Sequence, residues 1–124
     1  MNITLIRIPL VVAGCMLAGW SLQADQAAKR SISTVMKDAM KGDTSLHKKV
    51  SLGKGTDSDA VKLLDYYQSL PAESPPEGEE ASWKEKTAKL IAAAQAVVDK
   101  KPGATVQLQT AGNCKACHNE HKGK

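Results

Sequence analysis

Apolar residues recur at helical spacing along most of the chain beyond residue 24, which predicts an all-α protein. The sequence shows neither sustained period-two alternation nor strand-like clusters of β-branched residues. The first predicted helix covers residues 25–41 and ends at Gly42. Its apolar stripe follows the spacing of a helix with one buried face and consists of Ile32, Val35, Met36, Ala39 and Met40.

Three further helices are predicted, and segments rich in helix-breaking residues separate them. Residues 42–56 form a loop that can hold a short turn, and residues 71–78 form a crossover loop with three prolines and a glycine. The remaining helices cover residues 58–70, 79–101 and 104–120. Four helices with short or medium connections predict an antiparallel four-helix bundle.

The amino-terminal segment has the layout of an export signal. A short stretch with one positive charge precedes an apolar run at residues 8–20, and a small residue suited to cleavage follows. The run is shorter than the roughly 20 apolar residues that a membrane-spanning helix needs. We therefore predict a signal peptide at residues 1–24, one mature domain at residues 25–124 and a periplasmic location. The segment ending at Cys15 also resembles a lipobox, so a form anchored to the membrane by a lipid on Cys15 is the alternative.

Composition limits how such a small domain can be stabilised. Phenylalanine is absent, and aromatic residues make up 3% of the 124-residue chain. A large, flat, apolar cofactor would replace the missing aromatic core. The formal net charge is +4, and no basic run with interleaved aromatic residues indicates a nucleic-acid partner.

The strongest chemical signal lies near the carboxyl end of the chain. Cys114, Cys117 and His118 form a C-x-x-C-H sequence, the attachment signature of c-type haem. On a helix these positions share one side, so both thiols can form thioethers with the haem while the imidazole binds the iron. We therefore predict one covalently bound haem c, with His118 as an iron ligand. A disulfide between the two cysteines, a thioredoxin-like redox pair and a zinc site that includes His121 are the alternatives.

The location of this motif resembles that of the class II c-type cytochromes, the cytochrome c′ family. A C-x-x-C-H at the carboxyl end of an exported helical domain is similar to that family, whereas class I cytochromes c carry the motif near the amino end. The resemblance implies a haem held in a four-helix bundle. The last helix would bind the haem, and a residue of the first helix would face its other side.

The resemblance also points to a second iron ligand in the first helix. In one type of the family this residue is a methionine and the haem is six-coordinate and low-spin. In the other type it is apolar, and the iron stays open to NO or CO. Met36 stands at the family's ligand position, although Ile32 occupies a place where the family often has an arginine. We predict Met36 as the ligand, with Met40 and His47 as alternatives.

These features predict an electron carrier rather than an enzyme. Methionine–histidine ligation raises the haem potential, and a closed six-coordinate iron can exchange electrons without binding a substrate. The sequence shows no acid/base pair or nucleophile constellation. We expect transient contacts with other redox proteins, as a monomer or homodimer, and membrane contact only through the lipid-anchored form. A five-coordinate protein that binds NO or CO is the alternative function.

Some polar and aromatic residues outside the motif allow more than one interpretation. Tyr66, Tyr67 and Trp83 are interpreted as core or haem-packing residues, and His121 as part of a solvated tail. A group of lysines could border the haem edge and attract an acidic partner, although a solvated surface is the simpler interpretation. These are Lys48, Lys49, Lys115, Lys122 and Lys124.

Overall fold

The computed structural model describes residues 30–123, and every regular element in that range is helical. This confirms the predicted all-α class. The predicted export signal, including Cys15, lies outside the described residues. Within residues 30–123 no helix combines the length and apolar character needed to cross a membrane. The elements are α1 (Ile32–Val35, continued by a π-helical segment at Met36–Met40), α2 (Leu46–Ser51), α3 (Asp57–Tyr67), α4 (Glu80–Val98), α5 (Ala104–Ala111) and α6 (Cys114–His121), with a 3₁₀ turn at Leu70–Ala72.

The core lies where these helices pack against one another. Helix α4 packs against α3 and α5, and α2 packs against α3, α5 and the π-helical segment. Trp83 of α4 is buried, and its indole nitrogen donates a hydrogen bond to the Leu70 carbonyl at 3.0 Å. The largest fully buried side chains are those of Tyr67, Leu63, Leu70, Leu108, Val35, Thr87 and Ser69.

Helix α3 begins at Asp57, one residue before the predicted start at residue 58. The Thr56 hydroxyl accepts a hydrogen bond from the Asp59 amide at 3.1 Å, and the Asp59 carboxylate accepts one from the Thr56 amide at 2.9 Å. This reciprocal pair is a capping box. The backbone hydrogen bond from Thr56, together with the ammonium of Lys49, lowers the pKa of Asp59 to about 2.

The amino end of the first helix differs from the prediction. The described part begins at Ile32, although the prediction began at residue 25; residues 25–29 lie outside the described range. The Ser31 hydroxyl accepts a hydrogen bond from the Thr34 amide at 3.2 Å, while Ser31 itself is extended. Ser31 therefore acts as an N-cap and starts the helix, and the preceding Arg30 is not helical.

The predicted loop at residues 42–56 contains a complete short helix, α2. Ser45 caps it, because its hydroxyl accepts a hydrogen bond from the Lys48 amide at 3.2 Å. His47 and Val50 are buried on its inner side. Tertiary packing of these two residues thus supports a helix that is too short to be stable alone.

The fourth predicted helix, at residues 104–120, is divided into α5 and α6 by Gly112 and Asn113. Gly112 is buried, and a Cβ atom at this position would overlap the ring of His47. The Asn113 side chain accepts a hydrogen bond from the Ala116 amide at 3.2 Å and caps α6. The break therefore has two causes, close packing against α2 and a new helix cap.

Candidate functional site

A cavity of about 930 Å³ lies between α6, the π-helical segment, α4 and α5. Its wall is mostly apolar, and its volume falls within the roughly 300–1,000 Å³ of small-molecule and cofactor sites. Four predicted site residues line this one cavity, although they come from opposite ends of the described chain. They are Met36, Cys114, Cys117 and His118.

Helix α6 contributes the thiols and the imidazole. Cys114 and Cys117 are both free, Cys114 exposed and Cys117 half-buried. Burial raises the pKa of the Cys117 thiol. The Cys114 thiol donates a weak hydrogen bond to the Gly112 carbonyl at 3.6 Å, next to the helix cap. The His118 ring is exposed and makes no hydrogen bond within residues 30–123. Both ring nitrogens therefore lack a hydrogen-bond partner among the described residues.

The first helix contributes two thioethers to the same cavity. Met36 and Met40 are the first and last residues of the π-helical segment, and both are half-buried. Both line the cavity. Short π-helical segments occur frequently at functional sites. The two methionines named from the sequence as candidate ligands therefore share one cavity and one irregular helical turn.

His47, the third candidate ligand, lies elsewhere. Its side chain is buried, and Nδ1 lies 2.5 Å from the Tyr67 hydroxyl. It lines a smaller cavity of about 470 Å³ that shares Met40, Gly112 and Cys114 with the larger one. Burial, followed by the positive charge of Lys48, lowers the pKa of His47. The contact with Tyr67 favours a packing role over a ligand role.

The prediction that His121 belongs to a solvated tail is wrong. Its side chain is 2% exposed, and Nδ1 lies 3.0 Å from the Glu77 carbonyl oxygen. The ring packs edge-on against Trp83 at 5.5 Å between centroids. A Cβ at Gly78 would come within 2.7 Å of the same ring, so the loop folds tightly over it.

This placement of His121 also bears on the zinc alternative. His121 does not line the cavity that Cys114, Cys117 and His118 share. In the described part of the chain, no three His, Cys, Asp or Glu side chains lie close enough together to hold a metal ion. The hydrogen bond of His121 to Glu77 instead fixes the carboxyl end of α6 to the preceding loop.

The cavity wall includes five lysines, and every charge they bring to it is positive. No Asp or Glu within residues 30–123 lines the cavity. Of the lysines singled out from the sequence, Lys122 lines the cavity, whereas Lys48, Lys49 and Lys115 do not, and Lys124 lies outside the described residues. Two other lysines of the wall, Lys37 and Lys41, directly follow the candidate ligands Met36 and Met40 in the sequence. That position was the signal from which they could have been predicted. The lysines of the wall are Lys37, Lys41, Lys86, Lys89 and Lys122.

The donor set of the cavity fits a haem c. Two thiols and an imidazole lie on one helix, thioethers lie on another, and the rest of the wall is mostly apolar. Comparisons with protein-family models, curated proteins and solved structures gave no match to this chain. The candidate site therefore rests on the residues and geometry described above.

Proposed function

We propose that this chain is a haem-binding c-type cytochrome of class II that carries single electrons between redox partners. The supporting observation is that one cavity is lined both by Met36 of the first helix and by Cys114, Cys117 and His118 of the last. In this proposal the two cysteines hold the haem through thioethers, and His118 and Met36 bind its iron. When bound, the haem supplies a one-electron iron couple.

The other residues of the cavity support this role through their apolar character. Leu70, Trp83 and Leu90 are buried in the core and also line the cavity. An apolar wall limits solvent access and lowers the local dielectric constant, and both influence the potential of an iron centre. Ligation by methionine and histidine raises the potential further.

The proposal includes an antiparallel four-helix bundle made of the first helix, α3, α4 and the α5–α6 pair. Its support is that α4 packs against the helices that precede and follow it in the chain, α3 and α5. The connection between α4 and α5 is short, and short connections between packed neighbours favour antiparallel helices. A cleaved export signal at residues 1–24 and a periplasmic location belong to the same proposal, since bacterial c-type haem attachment occurs outside the cytoplasm.

Absorption spectroscopy of the full chain, produced in a host competent for c-type maturation, tests the proposal first. We expect haem that stays with the chain after denaturation, because thioethers are covalent. A Cys114→Ser/Cys117→Ser variant is the matched control and should lose its haem under the same treatment. Wild-type protein without any haem absorption would contradict the proposal.

The same sample distinguishes the electron carrier from a gas-binding protein. We expect low-spin spectra in both oxidation states, a far-red sulfur-to-ferric-iron band, and no change when CO is added to the reduced form. A high-spin spectrum with ready CO binding would instead support a five-coordinate NO- or CO-binding protein. In that case Met36 and Met40 would only pack around the haem.

A further inference from the structure

The edge of the large cavity carries a set of lysines that the electron-carrier role does not by itself require. We propose that this edge is a docking surface for the acidic face of a partner protein, an inference that rests on the proposed electron-transfer function. The lysine rim consists of Lys37, Lys41, Lys86, Lys89 and Lys122.

The rim concentrates positive charge at one place on the molecule. Lys37, Lys41, Lys89 and Lys122 are exposed, and Lys86 is half-buried. The complete sequence has 13 acidic residues, yet none of those within residues 30–123 lines the cavity. A cleft lined by one sign of charge attracts molecules of the opposite sign and raises their association rate.

The lysines of the rim differ in whether they already have a partner. The Lys86 ammonium pairs with the Glu120 carboxylate, and that of Lys89 pairs with Glu85 at 2.6 Å. Lys37, Lys41 and Lys122 form no ion pair with any residue in the range 30–123. Three uncompensated charges are therefore available to a partner.

The carboxylates of the proposed haem are the nearest competitor for these charges. A haem carries two propionates, which would leave at least one of the three unpaired lysines without a counter-charge. Lys37 lies on the π-helical segment and Lys41 directly follows it, whereas Lys122 directly follows α6, so the charges come from two separate parts of the fold. An apolar opening with a charged border matches the layout of protein interfaces, which have an apolar core and a polar rim.

Two variants with the same change in net charge test the proposal. The rim variant is Lys37→Gln/Lys41→Gln/Lys122→Gln, which keeps the formal net charge of the chain positive. The control variant changes three exposed lysines that do not line the cavity and form no ion pair with the described residues. It is Lys54→Gln/Lys62→Gln/Lys101→Gln.

Retention of both variants on a carboxylate cation-exchange resin is the first measurement, and it requires no electron transfer. We expect the rim variant to elute at lower salt than the control variant, because the resin binds a local patch more strongly than dispersed charge. Equal elution would overturn the proposal. This comparison remains valid if the chain carries no haem, so failure of the docking surface and failure of the proposed function are distinguishable.

The second measurement is the rate at which a reduced acidic flavodoxin transfers an electron to each oxidised variant. At low salt we expect the rim variant to react about tenfold more slowly than wild type, and the control variant to change by less than about twofold. The difference should disappear near roughly 0.5 M salt, where screening is strong.

Two outcomes of the kinetic measurement would overturn the inference. Equal losses in the rim and control variants would mean that net charge alone sets the rate. An unchanged salt dependence in the rim variant, combined with lost haem or a shifted midpoint potential, would mean that the lysines serve the haem propionates. Haem content and midpoint potential are therefore measured on the same samples.

Discussion

The thioethers of Met36 and Met40 reach the same cavity from the two ends of a single π-helical segment. A methionine on a helix is most often a packing residue, and its flexible side chain fills irregular space. Sulfur ligation of an iron is a separate property that leaves a spectroscopic signature. The two roles can therefore be assigned residue by residue.

We predict that Met36→Ala converts the haem from low-spin to high-spin and allows the reduced protein to bind CO. The reason is that alanine removes the sulfur proposed as the sixth ligand. Met40→Ala is the matched control and should stay low-spin. Absorption spectra with and without CO provide the measurement, and a Met36→Ala protein that remains low-spin would refute the assignment.

His47 gives a prediction about pH because burial lowers its pKa from 6.5. The folded state favours the neutral ring, so the unfolded state binds more protons below about pH 6.5. The free energy of unfolding should therefore fall as the pH drops from 7 towards 5, by no more than about 1.4 kcal/mol per pH unit from this group.

Urea unfolding of wild type and His47→Gln between pH 5 and 7.5 measures this contribution. The variant should show a flatter dependence on pH, whatever its absolute stability. Working above pH 5 limits the contribution of carboxyl groups such as Asp59, whose pKa is about 2. Parallel pH profiles for the two proteins would show that another group titrates.

The sequence identified the α6 motif residues because their spacing alone implies one helix face. His121 was misjudged because its burial depends on a loop more than 40 residues earlier in the chain, where Glu77 supplies the hydrogen-bonding carbonyl. A sequence pattern within a few residues of His121 cannot predict a contact over that separation in the chain. At the residue scale, the sequence therefore placed a local motif on one helix and missed a tertiary contact.

At the scale of elements, the junction between α5 and α6 sets where the C-x-x-C-H helix begins. Gly112 lies against the ring of His47, and Asn113 caps the new helix. Cys114 directly follows the Asn113 cap and is the first residue of α6. A side chain at Gly112 would meet the His47 ring of α2 and the Leu108 carbonyl of α5.

We predict that Gly112→Ala destabilises the protein by about 1–3 kcal/mol, the usual cost of forcing extra atoms into a packed interior. Combining it with His47→Ala should recover part of the loss, because the overlapping ring is gone. Urea unfolding of wild type, both single variants and the double variant gives the free energies of unfolding for a double-mutant cycle. If the losses in free energy of unfolding from the two single variants simply add in the double variant, the two residues do not interact.

Element boundaries were predictable where local signals define them. The predicted start of α3 at residue 58 is one residue from its observed start at Asp57, and the prolines at 71–78 separate α3 from α4. The π-helical segment was not predictable, since methionines four residues apart suit an α-helix equally well. The break at Gly112 was missed because a glycine inside a helical pattern is often tolerated.

At the scale of the whole molecule, a small core surrounds a large cavity. The chain has no phenylalanine, and a cavity of about 930 Å³ is lined by core residues such as Leu70 and Trp83. A cofactor that fills such a cavity adds packing contacts to the side chains of its wall. The folded state should therefore depend on what fills the cavity.

We predict that Cys114→Ser/Cys117→Ser lowers the Tm by at least about 8 °C, which corresponds to a loss of about 2 kcal/mol in a domain of this size. The reason is that the variant cannot retain the haem covalently. Lys115→Ala is the control and should keep the wild-type Tm, because this exposed side chain does not line the cavity. Calorimetry of the purified proteins measures the Tm. Equal Tm values for wild type and the double-serine variant would show that the fold is stable without the cofactor.

Helix α6 is the last helix of the described residues, and both the junction that precedes it and its last residue contact earlier parts of the chain. Gly112 lies against His47, and His121 bonds to Glu77. Synthesis proceeds from the amino end, so these partners are made before α6. The wall formed by α6 is then the last to close, and a flat molecule could enter through that gap. The order in which the cavity walls form, as well as the affinity for the proposed haem, would then determine whether a chain acquires the cofactor.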